Sequence, residues 1–155
     1  MPADVYRVQV ALPLAKAREV VHAVLEEARR RELEPLTVTV LDAGAQPVAM
    51  EREDGAGTLR PRIAHGKAAA ALGLGLSSGT VGKRNEGREA FLGGIASAAP
   101  DAFIPAPGGV LILDRDSRVI GAVGVTGDAP DQDEACALAG IGAAGLTPGI
   151  DPAAD

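Results

Sequence analysis

The chain has 155 residues, a formal net charge of −6 and a sequence pI near 4.9. This length suits one domain over residues 1–155 with a substantial core. The acidic balance and an aromatic content of 2% argue against binding to nucleic acid, whose phosphates attract basic surfaces and whose bases stack on aromatic rings. We find neither a secretory leader pattern nor an apolar run of membrane-spanning length, so we expect a cytoplasmic protein with no membrane partner.

The first third of the chain predicts a strand, a helix and a hairpin. Val5–Val10 alternates apolar and polar residues, which predicts an opening strand. A helix is predicted from Pro13 to about residue 31, because an apolar stripe recurs at helical spacing: Ala17, Val20, Val21, Val24, Leu25 and Ala28. Leu36–Leu41 and Val48–Arg52 are β-rich runs joined by a turn-rich segment, so we expect a hairpin.

The remaining two thirds predict two further helices and two central strands. Residues 61–73 suit a second helix, and residues 73–99 are only weakly helical. Two apolar runs, Val110–Leu113 and Val119–Val125, predict antiparallel strands, and a last helix should run from Pro130 to about Gly145 before a loose tail over 146–155. This order predicts an α+β fold with a five-stranded antiparallel sheet and flanking helices.

Lys67 is the clearest candidate for a functional side chain. Its helical neighbours Ile63, Ala64 and Ala71 are apolar, which places an ammonium group on the buried stripe of the second predicted helix. Such a lysine must extend its charge to solvent, pair with an anion or line a pocket. The sequence alone leaves these three alternatives open.

Other polar or flexible positions form a second tier of candidates. Gly108 and Gly109 precede a buried strand, where their N–H groups suit either a carboxylate or a tight turn. Asp133 begins the last helix, where it could match the helix dipole or face a cleft as the counter-charge of Lys67. Arg52 ends the hairpin and could bind a ligand or simply be solvated. The single cysteine, Cys136, is expected in the core.

Five segments, in order, resemble motifs of the GlcG/HbpS-like haem-degrading family, which is related to the PduO C-terminal domain. The segments are Val40–Gly44 with Val48–Ala56, Ile63–Ala68, Pro107–Val110, Val119–Gly127 and Asp131–Glu134. Ala45 stands where the family pattern has a second glycine. The resemblance implies a profilin-like α/β/α sandwich that assembles as a homo-oligomer. It also implies one of several roles: haem binding or degradation, a sensor partner, an accessory domain or small-acid catabolism.

Three functional hypotheses follow. The leading one is a small-ligand protein that binds haem, with Lys67, Gly108 and Gly109 as partners of the propionates and with Arg52 and Thr126 completing the ligand-binding set. The imidazoles of His65 and His22 are its candidate iron ligands. The second is a cofactor-independent enzyme acting on a small carboxylate or imine, with Lys67 and Asp133 as catalytic groups. The third is a non-catalytic oligomeric interaction module.

Overall fold

A computed structural model describes residues 4–154 of the chain. The elements in chain order are α1 (Leu14–Arg30), β1 (Thr37–Asp42), β2 (Pro47–Arg52), α2 (Arg60–Leu74), α3 (Ser78–Arg84), α4 (Glu89–Ala98), β3 (Gly109–Leu113), β4 (Val119–Thr126), α5 (Pro130–Ala143) and β5 (Thr147–Gly149). Across residues 4–154, no helix is both long and apolar enough to cross a bilayer.

The strands form one antiparallel sheet in the order β2-β1-β4-β3-β5. The apolar strand β4 lies at its centre, and Val123 pairs with Val40 on one side and Val110 on the other. The predicted hairpin and the two predicted central strands are therefore confirmed.

Helices cover both faces of the sheet. Helices α1 and α5 pack on one face, where the predicted stripe of α1 is buried with the larger core cluster. Helix α2 packs on the other face, against a smaller cluster that includes Leu41, Ala68 and Ala122. It lies so close to β4 that a Cβ on Gly124 would come within 1.8 Å of the Ala64 carbonyl oxygen. The expected sandwich of helices around an antiparallel sheet is confirmed.

The predictions for the two ends of the chain are wrong in part. Val5–Val10 is not a strand; all six of its residues are exposed, and the segment pairs with neither edge strand of the sheet, β2 or β5. The fifth strand instead comes from Thr147–Gly149, within the expected loose tail, and pairs with β3. The weakly helical stretch after α2 contains two helices, α3 and α4.

The hairpin turn holds a non-glycine residue in left-handed backbone conformation. Ala45 has a φ of 63°, and its N–H donates to the Asp42 carbonyl at 3.0 Å. The Asp42 carboxylate accepts bonds from the N–H groups of Gly44 and Gln46 at 2.9 and 3.0 Å. These three bonds hold the turn in a conformation that costs an alanine about 1 kcal/mol or more.

Candidate functional site

The Lys67 side chain is buried and paired with an acid. Its Nζ donates to Asp133 Oδ2 at 3.1 Å and to the Val125 carbonyl at 2.9 Å, and the residue is 3% exposed. Asp133 is equally buried and accepts a further bond from the Asp128 N–H at 3.1 Å. The pair thus joins α2 to the first turn of α5 around the end of β4.

Burial opposes both charges of this pair. Desolvation lowers the pKa of Lys67, although the carboxylate of Asp133 opposes that shift. Desolvation likewise raises the pKa of Asp133 against the attraction of Lys67. The neighbouring half-buried Glu134 has its pKa raised for the same reason. The sequence left three alternatives for Lys67, and the structure shows the second: Lys67 pairs with an anion, the carboxylate of Asp133.

Gly108 and Gly109 complete this closed cluster. Gly108 has a φ of +126°, and a Cβ there would lie 2.4 Å from the Val125 carbonyl oxygen and 2.9 Å from Lys67 Nζ. The Gly109 N–H donates to Ser78 Oγ at 2.8 Å, so it is not free to bind a carboxylate. The two glycines allow the loop before β3 to pack against Lys67.

Thr126, Arg52 and His22 lie on three different elements, β4, β2 and α1. The Thr126 hydroxyl is buried and accepts a bond from Arg60 Nη1 at 2.8 Å. Arg52 is exposed at the end of β2. His22 is exposed on α1, with Nε2 3.4 Å from a carboxylate oxygen of Glu51. Thr126 follows Val125, whose carbonyl accepts a bond from Lys67, so Thr126 lies beside the Lys67 cluster. Lys67 forms no bond with Arg52 or His22, since its Nζ donates to Asp133 and Val125.

The His65 cleft is an apolar cavity between α2, the hairpin turn and the C-terminal end of α4. It has a volume of about 710 Å³, which lies within the range of small-molecule and cofactor sites. Its lining residues are mostly apolar or glycine: Ala43, Gly44, Ala45, Gln46, His65, Ala69, Leu72, Gly73, Leu74, Ile95, Ala98, Ala99, Pro100, Asp101, Ala102 and Phe103. This lining favours an apolar ligand.

His65 is the imidazole that faces this cleft. Its side chain is 20% exposed, and Nε2 lies 3.5 Å from Asp101 Oδ2. Asp101 also lies 3.4 Å from the Arg62 guanidinium. A carboxylate beside a histidine fixes the orientation of the ring, as in many metal sites. Within residues 4–154, no group of three or more His, Cys, Asp and Glu side chains is placed to hold a metal ion.

Comparison with known proteins places the chain in a family. Residues 12–142 match the family described as haem degrading protein, HbpS-like. The chain belongs to this family. The resemblance found in the motifs is thereby confirmed, whereas no curated protein matches the sequence at a significant level.

Several solved structures share the fold. A PduOC–haem complex is 24% identical, with a TM-score of 0.77 over 88% of this chain and 97% of that chain. The Klebsiella pneumoniae protein ORFY is 25% identical, with a TM-score of 0.77 over 94% and 97%. A double mutant of Streptomyces reticuli HbpS is 22% identical, with a TM-score of 0.73 over 92% of each chain.

Sequence reasoning brought Lys67 and Asp133 together but missed the walls of the cleft. Asp101 and Phe103 lie in a loop without periodicity, so no local pattern marks them. Thr39, which lines a smaller cavity beside the cleft, could have been noticed, because Thr37 and Thr39 alternate with Val38 and Val40 and so place two hydroxyls on one face of β1. Cys136 is buried as expected, and desolvation raises the pKa of its thiol to about 11.

Proposed function

We propose that this HbpS-like protein binds haem in the His65 cleft. Membership of the family supports a haem-related ligand, and a structure of the same fold is a haem complex. The observation that carries the proposal is the cleft itself, which combines an apolar lining, a volume of about 710 Å³ and one imidazole. His22, the other candidate, lies on an open helix surface among charged side chains.

The donor set of the cleft fits haem. Haem supplies an iron centre within a wide apolar ring, and imidazole nitrogen is a common protein ligand of that iron. Leu72, Ile95 and Phe103 offer apolar contacts for the ring, and His65 offers the nitrogen. Asp101, 3.5 Å from His65 Nε2, would help to orient the imidazole and would leave Nδ1 to bind the iron.

The propionate partners expected from the sequence need revision within this proposal. Lys67 already donates to Asp133 and Val125, and the Gly109 N–H donates to Ser78. Arg62, exposed beside His65 and Asp101, is the nearby cation that could meet a propionate at the mouth of the cleft.

Titration with haemin tests the proposal. We expect a saturable shift of the Soret band with the unaltered protein, loss of that shift with His65→Ala and little change with the matched surface variant His22→Ala. Circular dichroism would check that both variants fold. A titration that does not saturate, or one that His65→Ala leaves unaltered, would contradict haem binding at this cleft.

The enzyme hypothesis gains less support. It requires a ligand to reach Lys67 and Asp133, but their exposed fractions are 3% and 1% and they pair with each other. The buried lysine has a lowered pKa, as a general base would, yet the closed cluster gives a substrate no room. We therefore assign this pair a structural role.

We also propose that the protein is a homo-oligomer with α4 in its interface. No residue of α4 is buried within the chain, although its sequence is apolar and Phe91 is 48% exposed. The alanines of α2 do not support assembly, because Ala68, Ala70 and Ala71 are buried within the chain. Light scattering should give a multiple of the chain mass, and Phe91→Glu should reduce it. One chain mass at every concentration would contradict assembly.

The cytoplasmic location stays a prediction, testable by cell fractionation.

A further inference from the structure

A second, smaller cavity opens beside the His65 cleft. It has a volume of about 240 Å³ and is lined by Thr39, Pro47, Met50, Pro61, Arg62, His65, Asp101 and Ala102. His65, Asp101 and Ala102 also line the larger cleft, so the two spaces meet at these residues. At about 30 Å³ per water, the smaller cavity has room for a short organic chain and not for a haem ring.

Thr39 is one of the residues that line this small cavity. It is the one buried residue in the lining, with an exposed fraction of 3%. Its Oγ1 has no hydrogen-bond partner among residues 4–154. A buried hydroxyl without a partner costs about 1–3 kcal/mol, whereas valine would fill nearly the same space without that cost. The unpartnered hydroxyl therefore destabilises the fold, and a ligand group at this wall of the cavity would supply the missing partner.

Thr37 provides an internal comparison on the same strand. It lies on the same face of β1, is fully buried and also lacks a partner for Oγ1 within the described chain. It pairs with Arg52 and Thr126 across the sheet and is not part of the cavity lining. Both threonines are thus buried with an unpartnered hydroxyl, but only Thr39 lines the cavity.

The mouth of the cavity carries a cation. The Arg62 guanidinium lies at the rim, 3.4 Å from the Asp101 carboxylate, which also lies 3.5 Å from His65. Both distances are long for charged pairs, and Asp101 is exposed, so an incoming anion can compete for Arg62. The lining thus offers the Arg62 guanidinium and the Thr39 hydroxyl as donors, beside His65, Asp101 and four apolar residues.

We infer that this cavity is a subsite for a carboxylate group, with Thr39 Oγ1 and Arg62 as its donors. The apolar walls formed by Pro47, Met50, Pro61 and Ala102 suit the aliphatic chain that carries such a group. The carboxylate has two sources: a free short-chain monocarboxylate, or a propionate of haem held in the adjoining cleft. The second source rests on the proposed function, and the first does not.

Butyrate is the probe for the first source. In an NMR titration of the isotope-labelled protein, butyrate should give saturable shifts of amide signals around Thr39. Thr39→Val should weaken binding about tenfold, as expected for loss of one hydrogen bond to a charged group. Thr37→Val should bind as the unaltered protein does. Arg62→Gln should weaken binding and reduce its dependence on salt.

Haemin and its dimethyl ester probe the second source. If propionate occupies the subsite, haemin should bind more tightly than the ester, and Thr39→Val should remove the preference while Thr37→Val keeps it. The subsite is overturned if butyrate gives no saturable shift and haemin shows no such preference, or if Thr39→Val changes neither measurement. Failure of haemin binding alone would contradict the proposed function and leave the butyrate result to decide the subsite.

Discussion

His65 and Lys67 lie two residues apart on α2, yet the fold gives them opposite surroundings. Lys67 points into a closed polar cluster in which Asp133 and the Val125 carbonyl accept its hydrogen bonds. His65 stays 20% exposed and lines two connected cavities. The difference shows that a charged residue on an apolar stripe is weak evidence of function, because the chain itself can supply the counter-charge.

Gly66 separates these two environments. A Cβ at this position would lie 2.5 Å from Ile104 Cγ1 and 3.1 Å from Ala102 Cβ. Its carbonyl also accepts a bond from the Ile104 N–H at 3.0 Å, which fastens the 102–104 segment to α2. The wall of the His65 cleft thus depends on a residue without a side chain, at the boundary with the closed cluster.

The largest effect is expected at the closed cluster. Lys67→Met leaves Asp133 buried without its cation and should lower the free energy of unfolding by about 3–5 kcal/mol. Urea denaturation measures the loss. The double variant Lys67→Met, Asp133→Asn should recover most of the stability, because no lone charge stays buried. A single variant as stable as the unaltered protein would contradict the assigned structural role.

A smaller loss is expected at the boundary between the two environments. Gly66→Ala should cost about 1–3 kcal/mol by overpacking against Ile104, and it should weaken haemin binding by displacing Ala102. The matched control is Gly142→Ala in α5, outside the lining of the cleft, where an added Cβ also meets nothing within 4 Å. The free energy of unfolding of that control should rise by up to about 1 kcal/mol, because alanine has a higher helix propensity than glycine. Equal effects of the two variants would rule out a special role for Gly66.

The contribution of the Lys67–Asp133 pair to the free energy of unfolding should depend on pH in the alkaline range. Burial lowers the pKa of Lys67 below its ordinary value of 10.5, so unfolding takes up a proton in the window just below that value. The stability of the unaltered protein should therefore rise with pH there, relative to Lys67→Met, Asp133→Asn. The slope for one proton is at most about 1.4 kcal/mol per pH unit. Denaturation at several pH values measures it, and a flat or falling difference would contradict the shift.

The smallest effect is expected at the hairpin turn that forms one wall of the cleft. Ala45→Gly removes the strain of a φ of 63° at the cost of a more flexible unfolded chain. The net gain should be about 1 kcal/mol or less, measured as a small rise in Tm. A loss of stability would show that the alanine methyl group contributes more by packing than its backbone costs.

The sequence predicted those parts of the fold that depend on regular burial. The stripe of Val20, Val21 and Val24 predicts α1 because one face of that helix meets the sheet, and continuous apolar runs predict β3 and β4 because both faces of these strands are covered. Val5–Val10 shows the limit of this reasoning. Alternation marks residues that could form a strand, but only a neighbouring strand makes one.

The candidate site was less predictable because its parts are distant in sequence. The proximity of Lys67 and Asp133 follows from a buried ammonium that needs a partner, and this reasoning works without coordinates. The His65 cleft depends instead on where the 99–103 loop and α4 lie, and neither carries a regular pattern. β5 was missed for a similar reason, since Thr147–Gly149 is short and contains two residues that rarely favour strands.

The buried Cys136 can report local unfolding of α5 without an introduced probe. The chain has a single cysteine, and its thiol lies in the main core between α5 and α1 with a pKa raised to about 11. In the native state the thiol is inaccessible and protonated. A thiol-specific reagent should therefore react only with molecules in which α5 has detached from the core. Labelling rates would give the frequency of that opening without an introduced probe.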